Sequence, residues 1–462
     1  MESNPRKPGL FRFVRVSYDE ASGVAELVYA FDQGPEMVER IRYPDAPAIA
    51  PERRRAFDAA LALLHLVAGV SYYKAAVPPE IAVDSGSLDP DTADLLELIY
   101  EQGLGEFAYQ NRLDLRGRIR FPRESDSCGA ATIHELPSPA TAVEASAPAL
   151  SLPRRTLVPI GGGKDSLVSV ELLRRAEEPA TCAWVGRSDL IAGCAAATGL
   201  PTLNIGRELS PLLFELNRRG AYNGHIPVTA INSAILVVAA ILYGYDAIAF
   251  SNERSASSAT LEDEGRAVNH QWSKGWAFER AFAAHVHRRV AADLDYYSLL
   301  RPLSELAVTR RFAALARYHA LFSSCNRNFK ILGARPEARW CGECPKCHFV
   351  FLALAPFLPK PSLMRIFGRN YLDDPALAPA FDALLEWHAQ KPFECVGEGG
   401  EARAAMAALA GRAEWREDAL VARFRREIQP TLDAAELDLE RWLAPSGEDR
   451  IPEPLRALLD AD

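Results

Sequence analysis

The sequence lacks an excess of positive charge. Its 462 residues include 52 lysines and arginines against 61 aspartates and glutamates, which gives a formal net charge of −9 at pH 7. Nucleic-acid binding draws much of its affinity from cations that neutralise phosphates. This balance gives no bulk electrostatic reason to expect a nucleic-acid partner, although it leaves a local basic patch open.

Long hydrophobic runs are also missing. The longest, around residues 231–242, falls short of the ~20 residues that a helix needs to cross a bilayer, and is typical of a buried helix. Residues 1–9 are polar and lack the apolar core of a signal peptide. We therefore predict a cytoplasmic protein with no membrane partner. Its cysteines are then reduced, and their spacing points to metal binding or catalysis rather than to disulfides.

A glycine-rich turn lies between a short apolar strand and a helical pattern. It contains glycines at 161–163, followed by Lys164, Asp165 and Ser166. Glycines let the backbone approach a ligand closely, and free N–H groups at a helix start favour anions. A Walker A loop is excluded, because Asp165 follows the lysine and Val158 occupies the position of the first glycine. A dinucleotide fingerprint would place the lysine and aspartate inside its tight turn.

The turn resembles the pyrophosphate loop of the PP-loop ATP pyrophosphatases, S-G-G-x-D-S, with Gly161 in place of the first serine. The resemblance implies an enzyme that cuts ATP between its α and β phosphates and adenylates a substrate oxygen. Asp165 would repel pyrophosphate unless a divalent cation lay between them, so Mg²⁺ is implied together with ATP. The alternative is an ordinary turn in which Asp165 or Ser166 caps the helix. The implied ATP-binding residues are Gly161, Gly162, Gly163, Asp165 and Ser166.

The chain divides into four predicted parts, and its fold class is predicted to be α/β. Residues 1–122 predict an N-terminal α+β domain, whose position suggests substrate binding, and residues 123–154 predict a linker rich in Ala, Pro and Ser. Residues 155–350 alternate strand and helix patterns, which predicts a parallel sheet covered by helices. The resemblance of the glycine turn implies that this part is a PP-loop ATP-binding domain, similar to the adenine nucleotide α-hydrolases. Residues 351–462 predict a helical C-terminal region.

A polar segment follows another buried strand of the predicted PP-loop domain. The strand Ala247–Phe250 leads into Asn252, Glu253 and Arg254. Ligands of such sheets bind outside the carboxyl ends of the strands, where the glycine turn also leaves its strand. We therefore predict that both segments face one crevice and that these three residues bind ATP there. The alternative is a capped loop.

Four cysteines have the spacing of metal ligands. Cys341, Cys344 and Cys347 form C-x₂-C-x₂-C, and Cys325 lies sixteen residues upstream. Four thiolates are what a closed tetrahedral zinc site requires, while an iron–sulfur cluster and unliganded thiols are the alternatives. The layout resembles the structural zinc cluster of the cyano-deazaguanine synthases, which are also PP-loop enzymes. The resemblance implies structural Zn²⁺.

Over most of its length the chain resembles the MurL family of ATP-dependent UDP-N-acetylmuramoyl-L-alanyl-L-glutamate epimerases. The segments that carry this resemblance are residues 159–166, 250–255, 270–274, 340–344 and 391–397. It implies that ATP adenylates the terminal L-glutamate of a nucleotide-sugar dipeptide, that the glutamate is inverted to the D form, and that AMP and pyrophosphate are released. This reaction would belong to peptidoglycan precursor synthesis.

The candidate catalytic residues are Lys164, Asp165, His270, Lys274 and Cys395. His270 could exchange protons, and Lys274 could meet the activated carboxyl group or a phosphate; the alternative for both is an ordinary loop residue. A single thiol can serve as an epimerase base, whereas a lone cysteine such as Cys395 is otherwise a small buried hydrophobe. The sequence leaves the identity of the base and the oligomeric state open.

Other functions remain open. In a PP-loop ligase, an amine or ammonia would attack the adenylate, and nothing in the loop excludes this. A tRNA-modifying PP-loop enzyme would need a basic face, which the net charge does not supply. A binding module stabilised by zinc, without catalysis, is a further alternative.

Overall fold

The computed structural model describes residues 8–124, 146–329 and 336–460. Residues 125–145, which make up most of the predicted linker, lie outside this range. The strands are Leu10–Asp19 (β1), Val24–Phe31 (β2), Met37–Arg42 (β3), Glu80–Val83 (β4), Thr156–Pro159 (β5), Ala180–Val185 (β6), Thr202–Glu208 (β7), Ala247–Phe250 (β8), Leu261–Asp263 (β9), Arg266–Val268 (β10) and Asp295–Ser298 (β11).

The helices are interspersed with these strands and dominate the C-terminal part. They are Arg54–Ala68 (α1), Val70–Tyr73 (α2), Pro90–Gly103 (α3), Gly105–Asn111 (α4), Lys164–Arg175 (α5), Asp189–Thr198 (α6), Pro211–Arg218 (α7), Val228–Tyr243 (α8), Trp276–His285 (α9), Glu305–Ala313 (α10), Pro345–Leu354 (α11), Lys360–Phe367 (α12), Ala378–Leu385 (α13), Gly399–Ala410 (α14), Ala419–Arg423 (α15), Leu439–Leu443 (α16) and Glu453–Asp460 (α17).

The strand-and-helix alternation predicted around the glycine turn is confirmed. β5 ends just before the turn, α5 follows it, and β6, α6, β7, α8 and β8 come in the predicted order. β5 pairs in parallel with β8, with Thr156 opposite Ala247 and Leu157 opposite Ile248. The α/β fold class is therefore confirmed, whereas the narrower assignment to the PP-loop fold stays a prediction.

Within the described residues, a nine-stranded sheet has the order β11-β8-β5-β6-β7-β3-β2-β1-β4. β1, β2 and β3 form an antiparallel meander, and β4 joins β1 in parallel. β3 pairs antiparallel with β7. β9 and β10 form a separate antiparallel hairpin.

The chain folds into two compact units, each built from separated segments. The first unit comprises Met1–Leu157, Asn204–Ile248 and Ala277–Tyr296. The second unit comprises Val158–Leu203, Ala249–Trp276 and Tyr297–Asp462. The four-part division along the sequence stays a prediction.

The first unit buries a long apolar helical segment. Pro51–Tyr73 has the length and composition to cross a membrane, yet 83% of its most apolar window is buried inside the protein. Its helix α1 packs against α8, and the ring of Tyr72, from α2, stacks on that of Tyr29 with centroids 4.7 Å apart. Such burial is expected for the apolar face of a helix in a protein core.

A buried ion pair lies on neighbouring strands of the first unit. Nε of Arg207 donates to Oε1 of Glu39 at 2.7 Å, and Nη2 of Arg207 donates to the Ser71 hydroxyl at 3.2 Å. Glu39 is 0% exposed. Removing one partner of such a pair leaves an uncompensated charge in the interior.

We expect Glu39→Ala to lower the free energy of unfolding by about 3–5 kcal/mol, because it removes the carboxylate that pairs with Arg207. Urea denaturation measures the loss. The matched control is Glu26→Ala, which removes an exposed pair with Arg40 at 2.8 Å and should cost less than about 1 kcal/mol. Equal losses in the two variants would contradict this expectation.

Candidate active site

The glycine loop packs closely against neighbouring segments of the second unit. Gly162 has a φ of +77°, and a Cβ atom there would lie 2.4 Å from the Leu190 side chain. A Cβ atom at Gly163 would lie 2.8 Å from Oγ of Ser324. The carbonyl of Gly162 accepts a hydrogen bond from the Ser323 backbone at 3.0 Å. Position 162 therefore requires glycine for both its backbone angle and its space.

The loop leads directly into a helix start. Helix α5 begins at Lys164, so its first N–H groups have no partner within the helix. The Gly161 N–H donates to the Ser166 hydroxyl at 3.5 Å. Such donors suit an anion with the chemistry of pyrophosphate. ATP binding by these residues stays a prediction.

Lys164 is fully buried at the centre of a charge cluster. Its ammonium group donates to the carboxylates of Asp165 and Glu305. Lys346 donates to the other oxygen of Glu305 at 3.2 Å. Sequence reasoning missed Glu305 and Lys346: the lysine sits inside the C-x₂-C-x₂-C motif, and the glutamate follows Ser304, as is usual at the first turn of a helix.

Glu253 contributes a third carboxylate to this cluster. Burial raises its pKa, and the charges of Glu305 and Asp165 raise it further. Burial acts to raise the pKa of Glu305 as well, but Lys164 and Lys346 outweigh it and hold that pKa below its usual range. Lys164 and Lys346 hydrogen-bond within this cluster of three carboxylates, and the charge of Lys274 also acts on Glu253. Carboxylate oxygens gathered in this way are ligands of the kind that a divalent cation such as Mg²⁺ prefers.

Burial acts to lower the pKa of Lys164, but the carboxylates of Asp165, Glu305 and Glu253 outweigh it and hold that pKa above its ordinary value. Lys164 therefore stays charged. It neutralises part of the cluster and does not exchange protons near neutral pH.

Arg301 ties together two of the segments that contribute to the site. It is 2% exposed and donates to the carbonyl of Glu253 at 2.9 Å and to that of Lys274 at 2.6 Å. A guanidinium fork is suited to holding two acceptors in a fixed geometry. Sequence reasoning missed this role, since Arg301 lies in no motif.

The three residues predicted to follow β8 into the crevice have different positions. Glu253 joins the charge cluster, and Nδ2 of Asn252 donates to the Ser298 hydroxyl at 3.0 Å. The guanidinium of Arg254 instead donates to the carbonyl of Pro302 at 3.3 Å and to the hydroxyl of Ser446. The structure thus does not bring Arg254 to the charge cluster, and ATP binding by these three residues stays a prediction.

Three of the catalytic candidates lie together. Nζ of Lys274 donates to Sγ of Cys395 at 3.3 Å, and His270 also forms a hydrogen bond with this sulfur. Burial acts to raise the pKa of Cys395, but the charge of Lys274 and the hydrogen bond with His270 lower it to about 6. Cys395 in turn raises the pKa of Lys274. At neutral pH the pair is a thiolate beside an ammonium group, and such a thiolate can take up a proton.

The thiolate pair and the charge cluster influence one another. Glu253 raises the pKa of Lys274, and Lys346 lowers that of Cys395. Both groups of residues belong to the second unit. The Cys395 thiol and the glycine loop are therefore parts of one electrostatic system.

The four cysteines with metal-ligand spacing converge. The sulfurs of Cys325, Cys341, Cys344 and Cys347 all lie within 4.8 Å of one another. The Cys344–Cys347 separation is 3.4 Å, Cys341–Cys347 is 3.7 Å and Cys325–Cys344 is 4.0 Å. A tetrahedral zinc ion with Zn–S bonds of about 2.3 Å places its sulfurs roughly 3.8 Å apart. The donor set therefore fits zinc.

Two family models match the chain. One is described as the MurL N-terminal domain and matches residues 2–299; the other is described as the MurL C-terminal domain and matches residues 321–439.

Curated relatives match nearly the whole chain. The UDP-N-acetyl-alpha-D-muramoyl-L-alanyl-L-glutamate epimerase of Xanthomonas oryzae pv. oryzae is 61% identical over 446 residues, covering 96% of this chain and 95% of the relative. The protein of the same name from Salinispora tropica is 40% identical over 90% of this chain and 88% of its own length. That from a Micromonospora species is 39% identical over 97% of both chains.

The lowered pKa of Cys395 predicts how its alkylation depends on pH. A thiolate reacts with iodoacetamide and a thiol does not, so labelling of Cys395 should rise with a midpoint near pH 6. Lys274→Met removes the adjacent positive charge and should move the midpoint upward by about 1–3 units. Lys274→Arg keeps the positive charge, so the midpoint of labelling should stay low. Mass spectrometry of the Cys395 peptide follows the reaction; an ordinary midpoint in the unchanged protein would contradict the expectation.

Proposed function

The chain belongs to the MurL family, and we propose on this premise that it epimerises the terminal L-glutamate of UDP-N-acetylmuramoyl-L-alanyl-L-glutamate. The product would carry D-glutamate, as peptidoglycan precursors require. The observation that carries the proposal beyond the family name is the Cys395–Lys274 pair, with Sγ and Nζ 3.3 Å apart. It supplies a base in the same unit as an anion-binding loop.

We propose that ATP activates the substrate first. An α-proton beside a free carboxylate is hard to remove, since the product would carry two adjacent negative charges. In the proposed step a glutamate α-carboxylate oxygen bonds to the α-phosphorus of ATP, the bond from this phosphorus to the bridging oxygen breaks, and pyrophosphate leaves. The resulting mixed anhydride carries no carboxylate charge, so its Cα–H is more acidic.

The loop residues would hold the leaving group. The N–H groups at the start of α5 and the Ser166 hydroxyl would donate to pyrophosphate. Asp165 and Glu253 would hold Mg²⁺, which would offset the phosphate charge. Lys164, kept charged by its carboxylate neighbours, would add a fixed positive charge. The same loop and carboxylates support the narrower assignment to the PP-loop group.

Cys395 would then remove the Cα proton. Its pKa of about 6 makes it a thiolate at neutral pH and leaves it basic enough to accept a proton, which is the compromise that general-base catalysis favours. Lys274 would hold the thiolate in its charged form and balance negative charge that develops on the activated carbonyl. Return of a proton to the opposite face, followed by attack of water on the anhydride, would give the D-glutamyl product and AMP.

We propose that the four-cysteine cluster holds a structural zinc ion. Four thiolates close the coordination sphere and leave no position for substrate. Lys346 lies between Cys344 and Cys347, so metal binding would fix the backbone that presents this lysine to Glu305. The zinc ion would thereby support the charge cluster without taking part in the chemistry.

The proposed reaction predicts incorporation of solvent hydrogen. Incubation with ATP, Mg²⁺ and the L-glutamyl nucleotide in D₂O should yield AMP, pyrophosphate and a glutamate with deuterium at Cα. NMR and mass spectrometry of the product detect the label. Formation of ADP, or inversion without deuterium, would overturn the mechanism, and an amide product would favour a ligase.

Cys395→Ala separates the two steps of the proposal. It should reduce deuterium incorporation by roughly 10²–10⁴-fold, the usual contribution of a general base. ATP–pyrophosphate exchange should persist, because adenylation does not need the thiol. Cys182→Ala, which removes a buried thiol from strand β6, is the matched control and should retain both activities. Parallel loss of both activities in Cys395→Ala would count against a role as base.

For the metal, we expect about one zinc ion per chain in the purified protein. Cys344→Ser should abolish binding and lower the thermal midpoint, while Cys182→Ser should keep the metal. Elemental analysis by mass spectrometry gives the stoichiometry. An absorbance band of an iron–sulfur cluster, or a folded protein without metal, would contradict the zinc assignment.

A further inference from the structure

A cavity of about 360 Å³ opens at the start of α14 in the second unit. Its walls carry both signs of charge together with one indole ring. The side chains that matter here are Glu386, Lys391, Glu398, Arg403, Glu436 and Trp442. A cavity of this size suits part of a ligand rather than a whole nucleotide sugar.

The carboxylates of the cavity already have partners. Glu386 accepts the backbone N–H of Gly399 at 3.0 Å. Glu398 accepts the hydroxyl of Ser258 at 2.7 Å. Hydrogen bonds within the protein therefore partly stabilise the charges of these two carboxylates. Glu436 also has a partner, because its carboxylate lies 3.5 Å from Nη2 of Arg403.

The donors of the cavity are less well satisfied. Lys391 is 7% exposed, and no residue in the described part of the chain forms a hydrogen bond or ion pair with it. Nε of Arg403 and Nε1 of Trp442 are likewise buried without a partner among the described residues. A largely buried lysine without a counter-charge is costly. Lys391 is therefore available to an anion that enters the cavity.

Lys391 is tied to the candidate base by a short segment. Cys395 is four positions after it, so their Cα atoms lie at most about 14 Å apart. The segment is shorter than that limit, since the backbone N–H of Glu394 donates to the Pro392 carbonyl and that of Val396 donates to the Glu394 carbonyl, each at 2.8 Å. The backbone that carries the candidate thiol is therefore close to the backbone of a residue that lines the cavity.

We propose that this cavity is a carboxylate subsite, in which Lys391 binds the γ-carboxylate of the glutamate to be inverted. This inference rests on the proposed function. The terminal glutamate has two carboxylates; adenylation neutralises the α-carboxylate and leaves the γ-carboxylate charged. Binding of the γ-carboxylate by Lys391 would orient the substrate glutamate so that its Cα faces Cys395. It would also leave the α-carboxylate as the group that is activated.

Binding experiments on the full chain, without ATP, test this assignment. Titration calorimetry would compare the L-glutamyl nucleotide with the analogue that ends in L-glutamine, whose γ-amide carries no charge. Lys391→Met should weaken binding of the glutamyl compound by roughly ten- to a hundredfold, the worth of a charged hydrogen bond. The affinity for the glutaminyl analogue should stay the same. Arg441→Met, which removes an exposed charge at the rim of the cavity, is the control and should change both affinities by less than about twofold.

A purely structural role for Lys391 would give a different result. Because Lys391→Met removes a buried, unpaired charge, we expect the thermal midpoint to be unchanged or raised; a lowered midpoint with equal loss for both compounds would overturn the proposal. Titration with pyrophosphate tests whether Lys391 binds a phosphate instead of a carboxylate. If Lys391→Met weakened the binding of pyrophosphate alone, that result would also overturn the proposal. Failure of the unchanged protein to bind the glutamyl nucleotide would do the same.

The two proposals can fail separately. Binding that depends on the γ-carboxylate and on Lys391, in a protein that incorporates no deuterium at Cα, would reject the proposed reaction and keep the subsite. Deuterium incorporation with no effect of Lys391→Met on binding would keep the reaction and reject the subsite.

Discussion

The carboxylate of Glu305 is the group on which the arrangement of the candidate active site depends. It is 1% exposed, and its two oxygens accept from Lys164 at the start of α5 and from Lys346 at the start of α11. Without this negative charge the two buried ammonium groups would repel one another, and Lys346 would lose the carboxylate to which it donates. The glycine loop and the cysteine segment are therefore fixed relative to one another through one side chain.

A second buried carboxylate extends this framework to the thiol. Glu401 of α14 is 0% exposed. It accepts the Ser255 hydroxyl at 2.8 Å and the Leu306 backbone N–H at 3.1 Å. It also accepts the N–H of Glu398 at 2.8 Å, just before α14 begins. Since Cys395 precedes this helix start by a few residues, the candidate base and the charge cluster are held by connected segments of the chain.

The features that sequence could predict were local ones. The strand, the three glycines and the helix start follow one another directly in the sequence, and the three cysteines of C-x₂-C-x₂-C lie within seven residues. The structure contains the strand and the helix, and it brings these cysteines together. Pairings between distant residues could not be read in this way. Glu305 meets Lys164 across 141 positions, and Lys274 meets Cys395 across 121. The sequence around each of these residues does not specify its distant partner. From its own sequence, Cys395 could therefore be a candidate base or a small buried hydrophobe. In the same way, the sequence did not show that Arg254 lies away from the charge cluster.

The three glycines of the loop differ in the room around them. A side chain at Gly162 or Gly163 would collide with Leu190 or Ser324, whereas at Gly161 a Cβ atom would meet open space among the described residues. Position 161 is thus an attachment point: a cysteine placed there could carry a fluorophore or spin label beside the loop without displacing its neighbours. Occupancy of the loop could then be followed in real time, independently of any chemical product.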